Sequence, residues 1–202
     1  MKKSILSADK NYTFRDFFEI AYPVEDIVKE FGYEFSFELL ALPRENIAEG
    51  ALTEFQSKLT RSLPKISLTS EIGRRDFLIA PVLLNLLEFV DIKIAAEYPI
   101  EAAKNLRGTL DYLIRSEKKL TVIEAKKGDL EKGFAQLAVE LIAMEQYEDG
   151  QQDILFGAVT TGDLWKFGKL EAAAKKITKD IDTYRIPADT IELFSILIGI
   201  LK

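Results

Sequence analysis

One group of residues in this chain has types and spacing that could do chemistry: Asp111, then Glu124-Ala125-Lys126, then Gln136. Glu124 and Lys126 close an apolar run that begins at Leu120. Two residues apart on an extended segment, they share a face while Ala125 points away. Pairing of the preceding apolar run, Leu106–Arg115, with this one would bring Asp111 beside Glu124. Two carboxylates at close range favour a divalent cation that relieves their repulsion. Mg²⁺, with Mn²⁺ as its substitute, suits a site built from oxygen alone. A metal clamp beside an ammonium is the minimum equipment for hydrolysing a phosphodiester.

Composition removes the competing chemistries. Among 202 residues there is no cysteine and no histidine. Disulfides, thiolate zinc sites, Ser-His-Asp or Cys-His nucleophiles and an imidazole base near neutral pH are thereby excluded. Acid–base or metal chemistry must use carboxylates, lysine or tyrosine. With 48% hydrophobic and 30% charged residues, the chain is long enough to bury a core without staples. Its 27 Lys and Arg against 33 Asp and Glu give a net charge of −6, so the whole molecule is no basic glove for nucleic acid. The charge is uneven. Residues 101–133 carry eight basic and six acidic residues, a sum of +2; residues 165–185 carry six and three, a sum of +3; the remainder sums to −11. That distribution permits a locally basic face on an acidic protein. The opening MKKSILSADKNYTF lacks the apolar run of a targeting signal, and the most apolar stretch, Ile191 to Leu201, is too short for a bilayer. A cytoplasmic protein with no membrane partner is the expectation.

The candidate residues need elements to position them. From Asp91 onward the texture predicts three successive strands, Ile92 to Pro99, Leu106 to Arg115 and Leu120 to Lys126, joined as a meander. Gly128 and Asp129 end the third, and Asp129 is placed to cap a helix with Leu130, Phe134, Leu137, Leu141 and Ile142 as its core stripe. Ile154 to Thr160 reads as a fourth strand, Thr161-Gly162-Asp163 as a turn and residues 171–182 as a helix. Pro187 with Asp189 opens a last apolar helix, either buried or the seam of a homodimer. Upstream, Thr13 caps a short helix carrying Phe14, Phe17, Phe18 and Ile20; Val24 to Phe31 repeats the pattern, and Tyr33 to Leu42 alternates like a strand with one wet face. Thr69 or Ser70 caps a helix through Glu71, Arg74 and Arg75 that Pro81 should kink or split. Ile72, Ile79, Leu83, Leu86 and Val90 form its expected buried stripe. The chain thus divides into an N-terminal helix-and-strand decoration over 1–60 and a core over 61–202.

Asp111 with Glu124-Ala125-Lys126 resembles the signature of the PD-(D/E)XK nuclease superfamily over about residues 66–170. The resemblance implies an α/β fold of the restriction-endonuclease-like kind, a mixed central sheet flanked by helices. It implies Mg²⁺-dependent cleavage of nucleic acid, DNA in the first instance, with Asp111, Glu124 and Lys126 as catalytic residues. Glu71, on the helix before the strands, would join Asp111 and Glu124 as a metal ligand. Gln136 matches the glutamine often borne by the following helix, and with Arg74, Arg75 and Lys127 it is a candidate contact to nucleic acid. Two departures stand out: Leu110, not proline, precedes Asp111, and Glu140 occupies a position where some RecB-like members carry tyrosine. Bland readings compete. Glu124 and Lys126 would suit an exposed cross-strand charge pattern, and Glu71 is what a helix dipole selects in a first turn. Lys127 points opposite Lys126 on a regular strand, Gln136 and Glu140 could be a polar flank, and Trp165 is expected in the core or a hairpin. The alternative function is a catalytically inactive module of the same fold that binds nucleic acid or a partner protein.

Overall fold

The computed structural model describes residues 4–7, 9–117, 119–126, 128–148 and 150–202. The N-terminal segment forms α1 (Phe14–Glu19), α2 (Val24–Lys29) and β1 (Glu34–Glu38). After α3 (Thr53–Ser62), one helical stretch is built from α4 (Glu71–Arg74), a π-helical turn (Arg75–Ile79) and α5 (Ala80–Leu86). The meander follows as β2 (Lys93–Ala103), β3 (Leu106–Arg115) and β4 (Leu120–Ala125), and then the long helix α6 (Leu130–Tyr147). The chain closes with β5 (Ile154–Thr160), β6 (Leu164–Glu171), β7 (Lys176–Asp180), β8 (Tyr184–Arg185) and α7 (Thr190–Leu201).

All eight strands join one sheet in the order β1-β7-β6-β5-β4-β3-β2, with β8 also on β6. The β4–β5 and β1–β7 pairs are parallel and the others antiparallel. The architecture is therefore mixed α/β, an eight-stranded mixed sheet with helices on both faces. Period-2 alternation sends Ile123 and Ala125 to one core, with Leu83 of α5 and Phe194 of α7, and Val122 to the other, with Leu137 and Leu141 of α6. The first forty residues share this core: β1 closes the sheet edge against β7, and Phe14 and Phe17 of α1 pack with α6. Among the described residues, no helix is long and apolar enough to cross a membrane.

Two expectations are corrected. Residues 171–182 form a turn and β7, not a helix: Lys175 takes φ +46° in the turn, and Ile177 is fully buried between β6 and β1. Two flanking strands that satisfy its backbone groups outweigh the helix propensity of Ala172, Ala173 and Ala174. Near Pro81 the helix is divided by the π turn, where the Ala80 N–H reaches the Arg75 carbonyl. Proline offers no N–H to the preceding turn, and the π turn absorbs that loss by taking in one more residue. Positions before and after it fall out of phase. Ile72, expected in the buried stripe, is accordingly 69% exposed while Ile79, Leu83 and Leu86 are buried.

α7 follows the buried-helix reading, since its only exposed large apolar residue is Ile191. Trp165 is buried in the β5–β6 hairpin and donates from Nε1 to the Gly162 carbonyl at 3.0 Å.

α1 is a six-residue helix held by its first turn. The Asp16 carboxylate accepts from the Thr13 N–H and hydroxyl, both at 2.8 Å, and pairs with Lys10 at 2.7 Å. Lys10 and then the Thr13 N–H hold its carboxyl down at about 2. A depressed folded pKa contributes stability above the unfolded value and loses it as pH falls through about 2. Asp16→Ala should cost about 1 kcal/mol at neutral pH by chemical denaturation, with the difference from wild type vanishing in strong acid.

Candidate active site

The meander delivers the first two carboxylates. The β3–β4 register runs Arg115↔Leu120, Ile114↔Thr121, Leu113↔Val122, Tyr112↔Ile123. The next step, Asp111 opposite Glu124, is where the ladder stops. There the Ala125 N–H donates to Asp111 Oδ2 at 2.8 Å, so the carboxylate takes a strand's hydrogen bond. The Lys126 N–H meanwhile bonds the Thr160 carbonyl of β5 at 2.7 Å. β4 thus leaves β3 and stays with β5, and the strands part at the face shared by Asp111, Glu124 and Lys126.

A cleft of about 570 Å³ lies over that face. Asp111, Glu124, Lys126, Gln136 and Glu71 all line it. Its opposite wall is α1, through Thr13, Arg15, Phe18 and Glu19. Close approach of elements shapes the wall. At Gly133 of α6 a Cβ would fall 2.6 Å from Val159 Cγ2 and 2.9 Å from Lys126 Cγ. Gly133→Ala must push the Lys126 stem or the β5 side chain aside, an overpacking that costs about 1–3 kcal/mol. It should also depress whatever activity depends on the Lys126 ammonium, to be checked by thermal melting and by the cleavage assay below.

The electrostatics are those of buried, crowded acids. Glu124 is 1% exposed and Glu140 fully buried. Lys126 Nζ donates to Glu124 Oε1, and Gln136 Nε2 donates to Glu124 Oε1 at 2.6 Å and to Glu140 Oε1 at 2.8 Å. Glu124 Oε2, Gln136 Oε1 and Glu140 Oε2 are buried with no hydrogen-bond partner. Burial first, then the charges of Glu140 and Asp111, lift the Glu124 carboxyl well above the usual range against the pull of Lys126. Burial pushes Glu140 up to about 7. For Lys126, burial pulls downward but the Glu124 carboxylate more than offsets it, and the ammonium is held more firmly protonated than usual.

Among the described residues no three carboxylates, histidines or cysteines close on one point. Glu71 stands on the cleft wall without completing such a cluster. Asp111 and Glu124 remain, both oxygen donors, and Glu124 Oε2 is an orphaned atom that a cation would satisfy. Two carboxylates, with water or phosphate for the rest of the shell, fit Mg²⁺, which dehydrates reluctantly. A second reason is charge balance. Among the described residues the cleft lining holds Arg15 and Lys126 beside Glu19, Glu71, Asp111 and Glu124, a carboxylate excess that a cation would offset.

The remaining candidates separate. Arg74 donates to the Thr161 carbonyl at 2.8 Å and to Asp163 at 2.7 Å, fastening α4 to the β5–β6 turn. Arg75 lies 3.3 Å from Glu97 and 3.5 Å from Asp111 Oδ1, with Tyr112 under its guanidinium, so it borders the site. Lys127 lies outside the described residues. Of the six basic residues in 165–185, Lys166 and Lys179 are buried, Lys179 pairs with Glu131, Lys169 with Glu171 and Lys176 with Glu38, while Lys175 and Arg185 are exposed. Sequence reasoning missed the α1 wall and the role of Glu140 as the second anchor of Gln136. A signal for the latter existed, because Gln136 and Glu140 are the only polar residues in the fully buried span from Gly133 to Met144.

No family model, curated protein or solved structure matches the chain.

Proposed function

We propose that the cleft is the active site of a Mg²⁺-dependent hydrolase that cleaves phosphodiester bonds of nucleic acid, DNA in the first instance, on a restriction-endonuclease-like fold. The observation that carries this reading is the convergence of Asp111, Glu124 and Lys126, from two strands that part at that point, on one cleft with an unpartnered buried carboxylate oxygen.

Asp111 and Glu124 would hold the ion. When bound, it would supply charge neutralisation at the phosphate and acidify a water. Lys126, a point-like ammonium at the rim of Glu124, would orient the attacking water or stabilise the added negative charge on phosphorus. Gln136, clamped by Glu140, keeps the Glu124 carboxylate from turning. Water adds to phosphorus, the bond from phosphorus to the leaving oxygen breaks, and that oxygen takes a proton, so water is the sole co-reactant. A cation binds the ionised form of Glu124, which burial disfavours, so ion affinity should rise with pH.

A second reading, a nuclease-fold module that binds without cutting, is favoured by one contact: the Lys126 ammonium takes up Glu124 Oε1, one of the two oxygens a cation would use. Mn²⁺ titration by calorimetry, with Asp111→Ala as control, separates the two. Under the hydrolase reading, wild type binds Mn²⁺ weakly, Asp111→Ala does not, and only wild type degrades labelled DNA. Binding of DNA with neither Mn²⁺ uptake nor cleavage would establish the second.

A further inference from the structure

The wall formed by α1 carries three aromatic rings in five residues, and they do different things. Phe14 and Phe17 are buried against α6, as the helical period requires. Phe18 is turned out of that core and lines the cleft. Its ring centroid lies 5.2 Å from the Lys126 ammonium and 6.0 Å from that of Lys132. One turn earlier on the same wall, Arg15 is exposed and pairs with no carboxylate among the described residues. An aromatic ring flanked by two ammonium groups and an unpaired guanidinium is the combination that grips a polynucleotide strand, the ring taking a base and the cations its phosphates. Phe18 is half-buried and does not belong to the core that holds Phe14 and Phe17.

The depth of the site restricts the strand. Glu124 is nearly inaccessible, and the cleft is bounded by α1 on one side and the sheet on the other, so a scissile phosphate must enter between walls. A duplex is a stiff rod whose bases are stacked inside it, and it cannot lower one phosphate into such a cleft and also offer a base face to Phe18. An unpaired strand does both at no cost in base pairing.

We infer that the cleft takes single-stranded DNA, with the Phe18 ring stacked on a base next to the phosphate held at Lys126 and Arg15 contacting a neighbouring phosphate. This rests on the reading of the cleft as a phosphodiester site and names its substrate class. Stacking on a ring tolerates any base, so the site discriminates strandedness and not sequence.

The test uses the full chain with labelled oligo(dT) and a blunt duplex of the same length, assayed in Mn²⁺ for cleavage and in Ca²⁺ for binding. Expected is preferential cutting of the single strand. Phe18→Leu keeps the volume without the aromatic face, and should raise KM about tenfold, the loss of kcat/KM lying in KM. Phe18→Trp should restore KM, and its indole fluorescence should be quenched by oligo(dT), whereas the buried Trp165 of wild type does not respond. A duplex cut as readily as the single strand, or a wild-type KM in Phe18→Leu, overturns the inference and leaves the hydrolase reading standing. Should wild type cut neither substrate, quenching in Phe18→Trp with weakened binding in Phe18→Leu upholds the strand site without hydrolysis; absence of quenching overturns it.

Discussion

Lys126→Met is expected to lower Mg²⁺-dependent cleavage by at least about 100-fold, the scale set by removing one preorganised charge from a transition-state site, while the melting temperature stays close to wild type. The second half of that expectation follows from Glu124. Removing one member of a buried ion pair is ordinarily costly because the other charge is stranded. Here burial and the charges of Glu140 and Asp111 already disfavour the charged carboxyl, so loss of the ammonium shifts Glu124 further toward its neutral form and lessens the stranded charge. The Met side chain replaces the Lys126 stem against Gly133. Asp111→Asn is the companion. Its amide oxygen can still accept the Ala125 N–H, so the strand junction is kept while a ligand charge is lost. Loss of cleavage in both variants with melting curves within a few degrees of wild type supports the assignment. Wild-type cutting by folded Lys126→Met would sink it.

The parts of this site that were legible in sequence are those governed by local periodicity. Alternation places Glu124 and Lys126 on one face whatever the rest of the chain does, and a short polar break between two apolar runs makes β3 and β4 neighbours, from which the Asp111–Glu124 juxtaposition follows. The cap at Asp129 is equally local, its side chain accepting from the Lys132 N–H at 3.0 Å. What escaped was set by distant partners. Residues 171–182 look helical alone and become β7 because β6 and β1 compete for their backbone groups. The phase of Ile72 depends on the π turn at Arg75–Ile79, just before Pro81, and the periodicity around Ile72 does not reveal it. The docking of α1 across the cleft is a tertiary fact: Phe18 reads as one more core aromatic until the positions of Lys126 and Lys132 are known. The same holds for Glu140, whose importance lies in an acid twelve residues before Gln136.

Glu140→Gln is expected to stabilise the metal-free protein above neutral pH and to have little effect in mild acid. Glu140 is fully buried and its carboxyl sits at about 7 against an ordinary 4.5. Between those values the folded state retains a proton that the unfolded chain has released, so protons bound to the native state exceed those on the unfolded state and stability falls as pH rises. The loss is complete above about 7 and amounts to roughly 3 kcal/mol. Glutamine has no such titration. Its amide oxygen can accept from Gln136 Nε2 as Glu140 does, and its NH₂ can serve the buried acceptors that lack partners, Glu124 Oε2 and Gln136 Oε1. In EDTA at pH 8 the variant should melt higher than wild type by about 5–10 °C, given the few degrees per kcal/mol typical of a chain this long, and the two melting curves should converge near pH 4.5. A pH-independent difference between the proteins would mean that Glu140 is ionised throughout, and that the Glu124–Gln136–Glu140 cluster is held by hydrogen bonds strong enough to keep two adjacent buried acids charged.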